Sequence, residues 1–150
     1  MEYLLRRAER ADNARIRELY AQMLTAIYGK AATEGYRDED VAYYYSGGED
    51  LIYVAEIGGS IEAFLAIEAH HDQGSYLYYD DFCVSEAFRG MGIGSAMLDE
   101  AEKYCREIGF STIVLHVERH NVSAQRLYER RGFSVLRVDG SRLCMVKHPV

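Results

Sequence analysis

Three glycines on alternate residues, Gly90, Gly92 and Gly94, stand between an apolar run ending at Val84 and a helical pattern opened by Ser95. A strand must enter this loop and a helix must leave it. The backbone there can turn tightly and approach a ligand with no Cβ in the way. The first amides of a helix lack intrahelical acceptors, and the helix dipole adds partial positive charge at that end. A glycine loop feeding such a terminus predicts an anion site suited to phosphate or pyrophosphate, with Arg89 as a charged donor. The plainer alternative is a tight strand-to-helix corner and nothing more.

Neither common nucleotide signature fits. A P-loop needs Gly-Lys-Ser/Thr at its end, and Gly94 is followed by Ser95 and Ala96. A dinucleotide fingerprint needs GxGxxG after the first strand of a parallel unit. This loop spaces its glycines GxGxG and follows a run of hairpins.

The rest of the chain can be read around the loop. Met1 to Arg7 reads as a first strand. Ile16, Leu19, Tyr20, Met23, Leu24 and Ile27 recur at helical spacing, with Asp12 as N-cap and Gly29 past the end. Asp38 to Tyr45 reads as a second, shorter helix. Leu51–Ile57 and Ile61–Ala69 flank Gly58-Gly59-Ser60 as a hairpin, and Tyr76 to Val84 continues the meander. After the glycine loop, Met97, Leu98, Ala101, Cys105 and Ile108 share a helix face closed by Gly109. Thr112 to Val117 is a near-continuous apolar strand of the kind buried on both faces. Asn121 to Arg131 is a further helix, and Phe133–Val138 and Leu143–Lys147 close the chain as a hairpin. The pattern predicts one mixed α+β domain over residues 1–150, with a late strand–helix–strand crossover.

Composition removes several classes of function. The 150 residues carry a net charge of −7 with no Lys/Arg stripe, which argues against a nucleic-acid groove. An acidic surface concentrates cationic small molecules, although it also simply keeps a protein soluble. No segment is apolar for long enough to span a membrane. The start, MEYLLRRAERADNAR, has no signal-peptide core, so a cytoplasmic location is expected. Cys83, Cys105 and Cys144 form no CxxC pair and read as reduced thiols. His70-His71-Asp72 lacks metal-ligand spacing, and no metal is expected.

Two segments carry a resemblance. DDFCVSEAFRGMGIGSAML resembles motif A of the GCN5-related N-acetyltransferase (GNAT) family, Arg/Gln-x-x-Gly-x-Gly/Ala, with Arg89, Gly92 and Gly94 in place. LHVERHNVSAQRLYERRGF resembles the family's next motif through Asn121, Ala124, Leu127, Tyr128, Gly132 and Phe133. The element order matches over nearly the whole chain. The resemblance implies a GNAT fold: a mostly antiparallel mixed sheet of about six to seven strands, about four flanking helices, and a splay between the fourth and fifth strands. It implies acetyl-CoA as co-substrate. The acceptor implied is a primary amine of a small molecule (polyamine, amino acid, amino sugar or aminoglycoside-like), attacking directly in a ternary complex. A protein N-terminus or lysine is the alternative acceptor. A non-catalytic acyl-CoA-binding sensor is the alternative of another class. A homodimer is also expected from the resemblance.

Carried over residue by residue, the resemblance puts the CoA pyrophosphate on Arg89, Gly90, Met91, Gly92, Ile93, Gly94 and Ser95. The pantetheine arm would pair with Phe82, Cys83 and Val84, where a backbone amide near Cys83 or Val84 polarises the acetyl carbonyl. Asn121 would contact CoA or the bound substrate, its plain alternative being an N-cap; Tyr128 would also contact the cofactor, and one of Arg126, Arg130 and Arg131 its 3′-phosphate. Tyr128 matches the family's general acid, since a phenol of pKa ~10 can donate to a departing thiolate; its plain alternative is a core tyrosine. Asp80 matches the base, acting directly or through water, with Asp81 and Glu118 as the other candidate carboxylates. Strand alternation places Asp80 and Asp81 on opposite faces. Tyr43 to Tyr45, Asp38 to Asp40 and Tyr76 to Asp81 together suggest an aromatic, acidic wall for an ammonium, or scattered packing on a solvated helix.

Overall fold

The computed structural model describes residues 2–29 and 36–149. Met1, expected at the start of the first strand, lies outside the described residues. Among the described residues, seven strands form one sheet: β1 (Leu4–Arg7), β2 (Leu51–Ile57), β3 (Ser60–His70), β4 (Tyr76–Val84), β5 (Ile113–Glu118), β6 (Ser134–Asp139) and β7 (Arg142–Lys147). Their order is β1-β2-β3-β4-β5-β7-β6. Every neighbouring pair is antiparallel except β4 with β5, which the crossover through a helix makes parallel. The helices are α1 (Asn13–Tyr28), α2 (Asp38–Val41), α3 (Ile93–Glu107) and α4 (Val122–Arg130). This is the mixed α+β architecture read from the chain.

Two apolar layers follow from the strand pattern. Leu51, Tyr53 and Ala55 of β2 face one core with Leu65 and Ile67 of β3, where α3 adds Met97, Leu98 and Ala101. Ile52 and Val54 face the other, with Phe64 and Ala66, under Ile16 and Leu19 of α1 and Val41 of α2. The central strands β2 and β3 are therefore buried on both faces, as their continuous apolar runs require. Each fully buried Leu, Ile or Phe contributes about 1.5–3 kcal/mol.

Four local readings are corrected in whole or in part. Thr112–Val117, expected to be buried on both faces, is not: Ile113, Leu115 and Val117 are buried, whereas Val114, His116 and Glu118 are half-buried. The face under α3 and α4 is covered, but α1 lies over β3 and β4 and leaves β5 open on the other side. The second helix does not run to Tyr45. It ends at Val41, and Ala42–Tyr45 tightens into a 3-10 turn that buries Tyr44 and leaves Tyr43 exposed. Asp12 does hold the N-cap position of α1, but its side chain makes no capping bond, because Arg6 holds its carboxylate at 2.7 and 3.0 Å and the Glu9 amide donates to it at 2.7 Å. The helix after the glycine loop starts at Ile93 rather than Ser95.

Two irregularities open the sheet at its centre. β4 and β5 pair only where Leu77–Tyr79 faces Ile113–Leu115, and beyond that point they part. On the other side of β4, Leu65 faces Phe82 and Ile67 faces Tyr79, so the single residue Ala66 stands opposite both Asp80 and Asp81. That extra residue is a β-bulge, which bends its strand and re-aims side chains.

Candidate active site

The parting of β4 and β5 opens a cleft of about 960 Å³ between the end of α1, the glycine loop, and the start of α4. The bulge has a direct chemical result. Tyr36 donates to Asp81 and Tyr44 to Asp80, and both tyrosines belong to the core layer under α1, so the opposite-face expectation from strand alternation does not hold.

The glycine loop forms one wall. Gly92 caps α3 in the left-handed region, φ 85°, which suits glycine and few other residues. The first backbone bond across this helix start runs from the Ala96 N–H to the Gly92 carbonyl at 3.1 Å. The amides of Ile93, Gly94 and Ser95 stand ahead of it, without acceptors inside the helix. At Gly94 a Cβ would lie 3.2 Å from Phe82 Cζ and 3.6 Å from Val84 Cγ2, so glycine there lets α3 lie directly on β4.

Of the expected cofactor residues, Phe82, Cys83, Val84, Arg89, Gly90, Gly92, Gly94, Ser95, Asn121 and Tyr128 all line the cleft. Met91 and Ile93 do not. The Met91 side chain is exposed, and Ile93 is buried in the core beneath α3. The Cys83 thiol turns away from the cleft and donates to the Leu19 carbonyl at 3.6 Å. Burial pushes that thiol up to about 11, which leaves no thiolate for nucleophilic work. Arg89 Nε folds back onto the Val84 carbonyl at 2.9 Å. Asn121 is the N-cap of α4, its side-chain oxygen accepting from the Ala124 amide at 3.3 Å. Among the three arginines weighed for a phosphate, Arg130 lines the cleft, while Arg131 is engaged by Asp99 and by Glu102 at 3.1 Å.

The titratable groups meet where the strands part. Burial first, and the Asp80 charge second, push the Asp81 carboxyl up to about 7. Tyr36 donates to Asp81 Oδ2 at 2.7 Å. Asp80 stands nearer the open mouth, with its carboxyl raised by lost hydration and by the Glu68 charge. Tyr44 reaches both Asp80 and Glu68 at 3.4 Å, and Tyr43 reaches Glu68 at 3.0 Å. Of the aromatic and acidic wall read from the sequence, Tyr43, Tyr44 and Asp80 come together around Glu68, whereas Tyr45 and Asp38 turn to Asn13 and Asp40 pairs with Arg37. Tyr128 is buried edge-on to Phe133, and its phenol is raised by burial and then by the Asp81 charge. Both effects keep it protonated.

Four contributors had no signal in the sequence, the first being Glu68 of β3 beside Tyr43 and Tyr44. Tyr28, at the end of α1, donates to Glu118 Oε1 at 2.6 Å and so bridges the cleft mouth. Arg142 comes from β7, where it faces Glu118 in register, and its charge partly offsets the rise at Asp80 and Asp81. Tyr36 follows no motif. Among the described residues, one group gathers metal-type atoms, away from the polar turn at His70–Asp72: the ligand atoms of His116, Asp139 and Cys144 lie within 4.8 Å of one another. His116 Nε2 and Asp139 Oδ2 are bonded at 2.8 Å, and Arg137 Nε donates to both Asp139 oxygens at 3.0 Å.

Known proteins resemble this chain in sequence and in fold. YwnH of Bacillus subtilis (strain 168), provisionally named a phosphinothricin acetyltransferase, is 27% identical over 155 residues, 92% of each chain. A mycothiol acetyltransferase of Propionibacterium freudenreichii is 43% identical over 56 residues, which is 37% of this chain and 18% of that protein. The crystal structure of the PaiA N-acetyltransferase of Thermoplasma acidophilum, in complex with coenzyme A, superposes with a TM-score of 0.81 at 20% identity, covering 99% of both chains. Residues 14–133 match the pattern of the acetyltransferase (GNAT) family, and with most of its length inside that one pattern the protein belongs to the GNAT family of acetyltransferases.

Proposed function

We propose that the protein transfers the acetyl group of acetyl-CoA to a primary amine of a small molecule by direct attack in a ternary complex. The observation that carries the reading is the placement of Asp81 and Tyr128, a carboxyl raised to about 7 and a protonated phenol near enough to feel the Asp81 charge, at the point where β4 and β5 part. Two features of the cleft fit acetyl-CoA. The glycines leave the α3 amides bare, and β4 past Tyr79 offers a free edge of five residues toward β5, Asp80 to Val84. At about 3.3 Å per residue that edge is about 16 Å long, enough for an extended arm. When bound, acetyl-CoA supplies an activated acyl group and a thiolate leaving group.

The chain's own groups do the rest. The α3 terminus and Arg130 receive phosphate charge. Asp81, rather than the Asp80 of the sequence reading, takes the proton of the attacking amine, because a base with pKa near the working pH is the more effective one. Asp80 and Glu68 hold the ammonium before it reacts, and Tyr128 protonates the thiolate as it leaves. Asp80, Asp81 and Glu118 in the cleft, on a chain of net charge −7, support an acceptor that is itself cationic.

The test is release of free CoA thiol from acetyl-CoA with a panel of polyamines, amino acids, aminoglycosides and short peptides. A small-molecule hit supports the reading, and a hit with peptides alone moves it to a protein acceptor. Silence with tight acetyl-CoA binding leaves the sensor. Tyr128→Phe is expected to lower turnover by about 10²-fold or more while acetyl-CoA binding holds. An unchanged rate would remove Tyr128 as the acid.

A further inference from the structure

Tyr36 occupies a conformation that bulky residues avoid. Its φ of 59° lies in the left-handed region, and the residue is 5% exposed. Such an outlier persists only where its surroundings impose it, and it is a reason to look for function. The surroundings here are specific. Asn13 Nδ2, in the first turn of α1, donates to the Tyr36 carbonyl at 2.6 Å and to Asp38 Oδ1 at 3.1 Å. The Tyr45 hydroxyl donates to Asn13 Oδ1 at 2.8 Å. Among the described residues, Asn13 makes up the whole buried polar and charged set apart from the tyrosines. The Tyr36 ring is wedged between Tyr20 at 4.7 Å and Phe64 at 5.4 Å.

A strained backbone held by a buried amide, and a ring held between two others, leave the hydroxyl one place to point. It meets Asp81 Oδ2 at 2.7 Å. We infer that Tyr36, clamped from behind by Asn13, is a positioning residue that holds the Asp81 carboxylate aimed and ionised to receive the acceptor's proton. The inference rests on Asp81 as the base, as proposed above. With Oδ2 held, Oδ1 is the oxygen left for the amine. A side chain on a bulge lacks the neighbours that a regular ladder would supply, so an outside donor sets its direction.

Other charged and titratable groups face Asp81 as well. Asp80 on the same strand and Glu68 on β3 raise its carboxyl, and Arg142 on β7 lowers it. Tyr20 and Tyr28 of α1, Tyr128 of α4 and the Cys83 thiol all feel the Asp81 charge. Tyr44 senses Asp80 beside it and couples to Tyr36. From β5, His116 and Glu118 line the same cleft. The Tyr36 hydrogen bond lowers the Asp81 carboxyl, so its removal lets Asp81 rise further.

Tyr36→Phe keeps the ring and deletes that donor. The acid limb of kcat/KM for the amine is expected to move to higher pH by about one unit, the scale of one hydrogen bond to a charged group. The rate at pH 6.5 then falls about tenfold and recovers to near the parent value at pH 9. A 3,5-difluorotyrosine at position 36, a stronger donor with intact packing, is expected to move the limb the other way, and it serves if the phenylalanine variant does not fold. Equal loss at every pH, or a limb that stays in place, would overturn the inference. Asp81→Asn separates the two readings. If that variant keeps the parent limb, Asp81 is not the base. If it loses the limb while Tyr36→Phe leaves it unmoved, the base stands and the role of Tyr36 alone falls.

Discussion

Asp81 joins a cost to a use. A carboxyl raised to about 7 in the folded chain, against about 4 in an unfolded one, is easier to protonate when folded. The fold is therefore unpenalised below about pH 4, loses stability as pH rises toward 7, and carries the full penalty above it. Asp81→Asn removes the charge, so its melting temperature is expected to exceed the parent's at pH 8 and to match it near pH 4, by calorimetry across that range. Its turnover is expected to fall by about 10²-fold or more, since general-base catalysis contributes on that scale. An activity loss with no pH-dependent gain in stability would argue against a buried, raised carboxyl. The two aspartates were legible as candidates from their place before the glycine loop. Which one is the less exposed was not, because a bulge inserted opposite Ala66 breaks the alternation from which faces are read.

The contact between β4 and α3 decides how well the glycine loop is presented. Gly94 is the point of closest approach, with the Phe82 ring against the place a Cβ would fill at 3.2 Å. Gly94→Ala is expected to shift α3 by a few tenths of an ångström and to cost about 1–3 kcal/mol of stability, as overpacking generally does. Acetyl-CoA binding, followed by calorimetric titration, is expected to weaken about tenfold if a shift of that size misplaces the α3 amides. Binding at parent strength would mean that the loop tolerates the displacement. Most elements were legible because apolar period and turn residues agree, as in the β2–β3 hairpin and in α3. The strand Thr112–Val117 misled for the opposite reason. Val114 and Val117 look alike in sequence, and only the coverage by α3 and α4 on one side distinguishes the faces. The end of α2 failed likewise, since three consecutive tyrosines carry no period at all.

Across the molecule, charge and topology work together. A net charge of −7 and a cleft holding Asp80, Asp81 and Glu118 attract cations from a distance, an effect that salt screens. For a polyamine acceptor, kcat/KM is expected to fall several-fold between about 0.05 and 0.5 M ionic strength, and much less for a zwitterionic amino acid. Equal sensitivity for the two would mean that the acidic surface plays no part in capture. The sequence by itself determined the mixed sheet, the helix order, the glycine loop at a helix start and the family, because these depend on local periodicity, turn chemistry and two linear motifs. Tertiary structure alone decided which groups meet where β4 and β5 part, although Tyr128 and the two aspartates were already candidates by resemblance. Tyr36, Asp81, Tyr128 and Arg142 come from a loop, a bulged strand, a helix and a late hairpin, and each is a residue type common anywhere in a chain. Their meeting depends on long-range register and on where β4 leaves β5, and no local pattern encodes either.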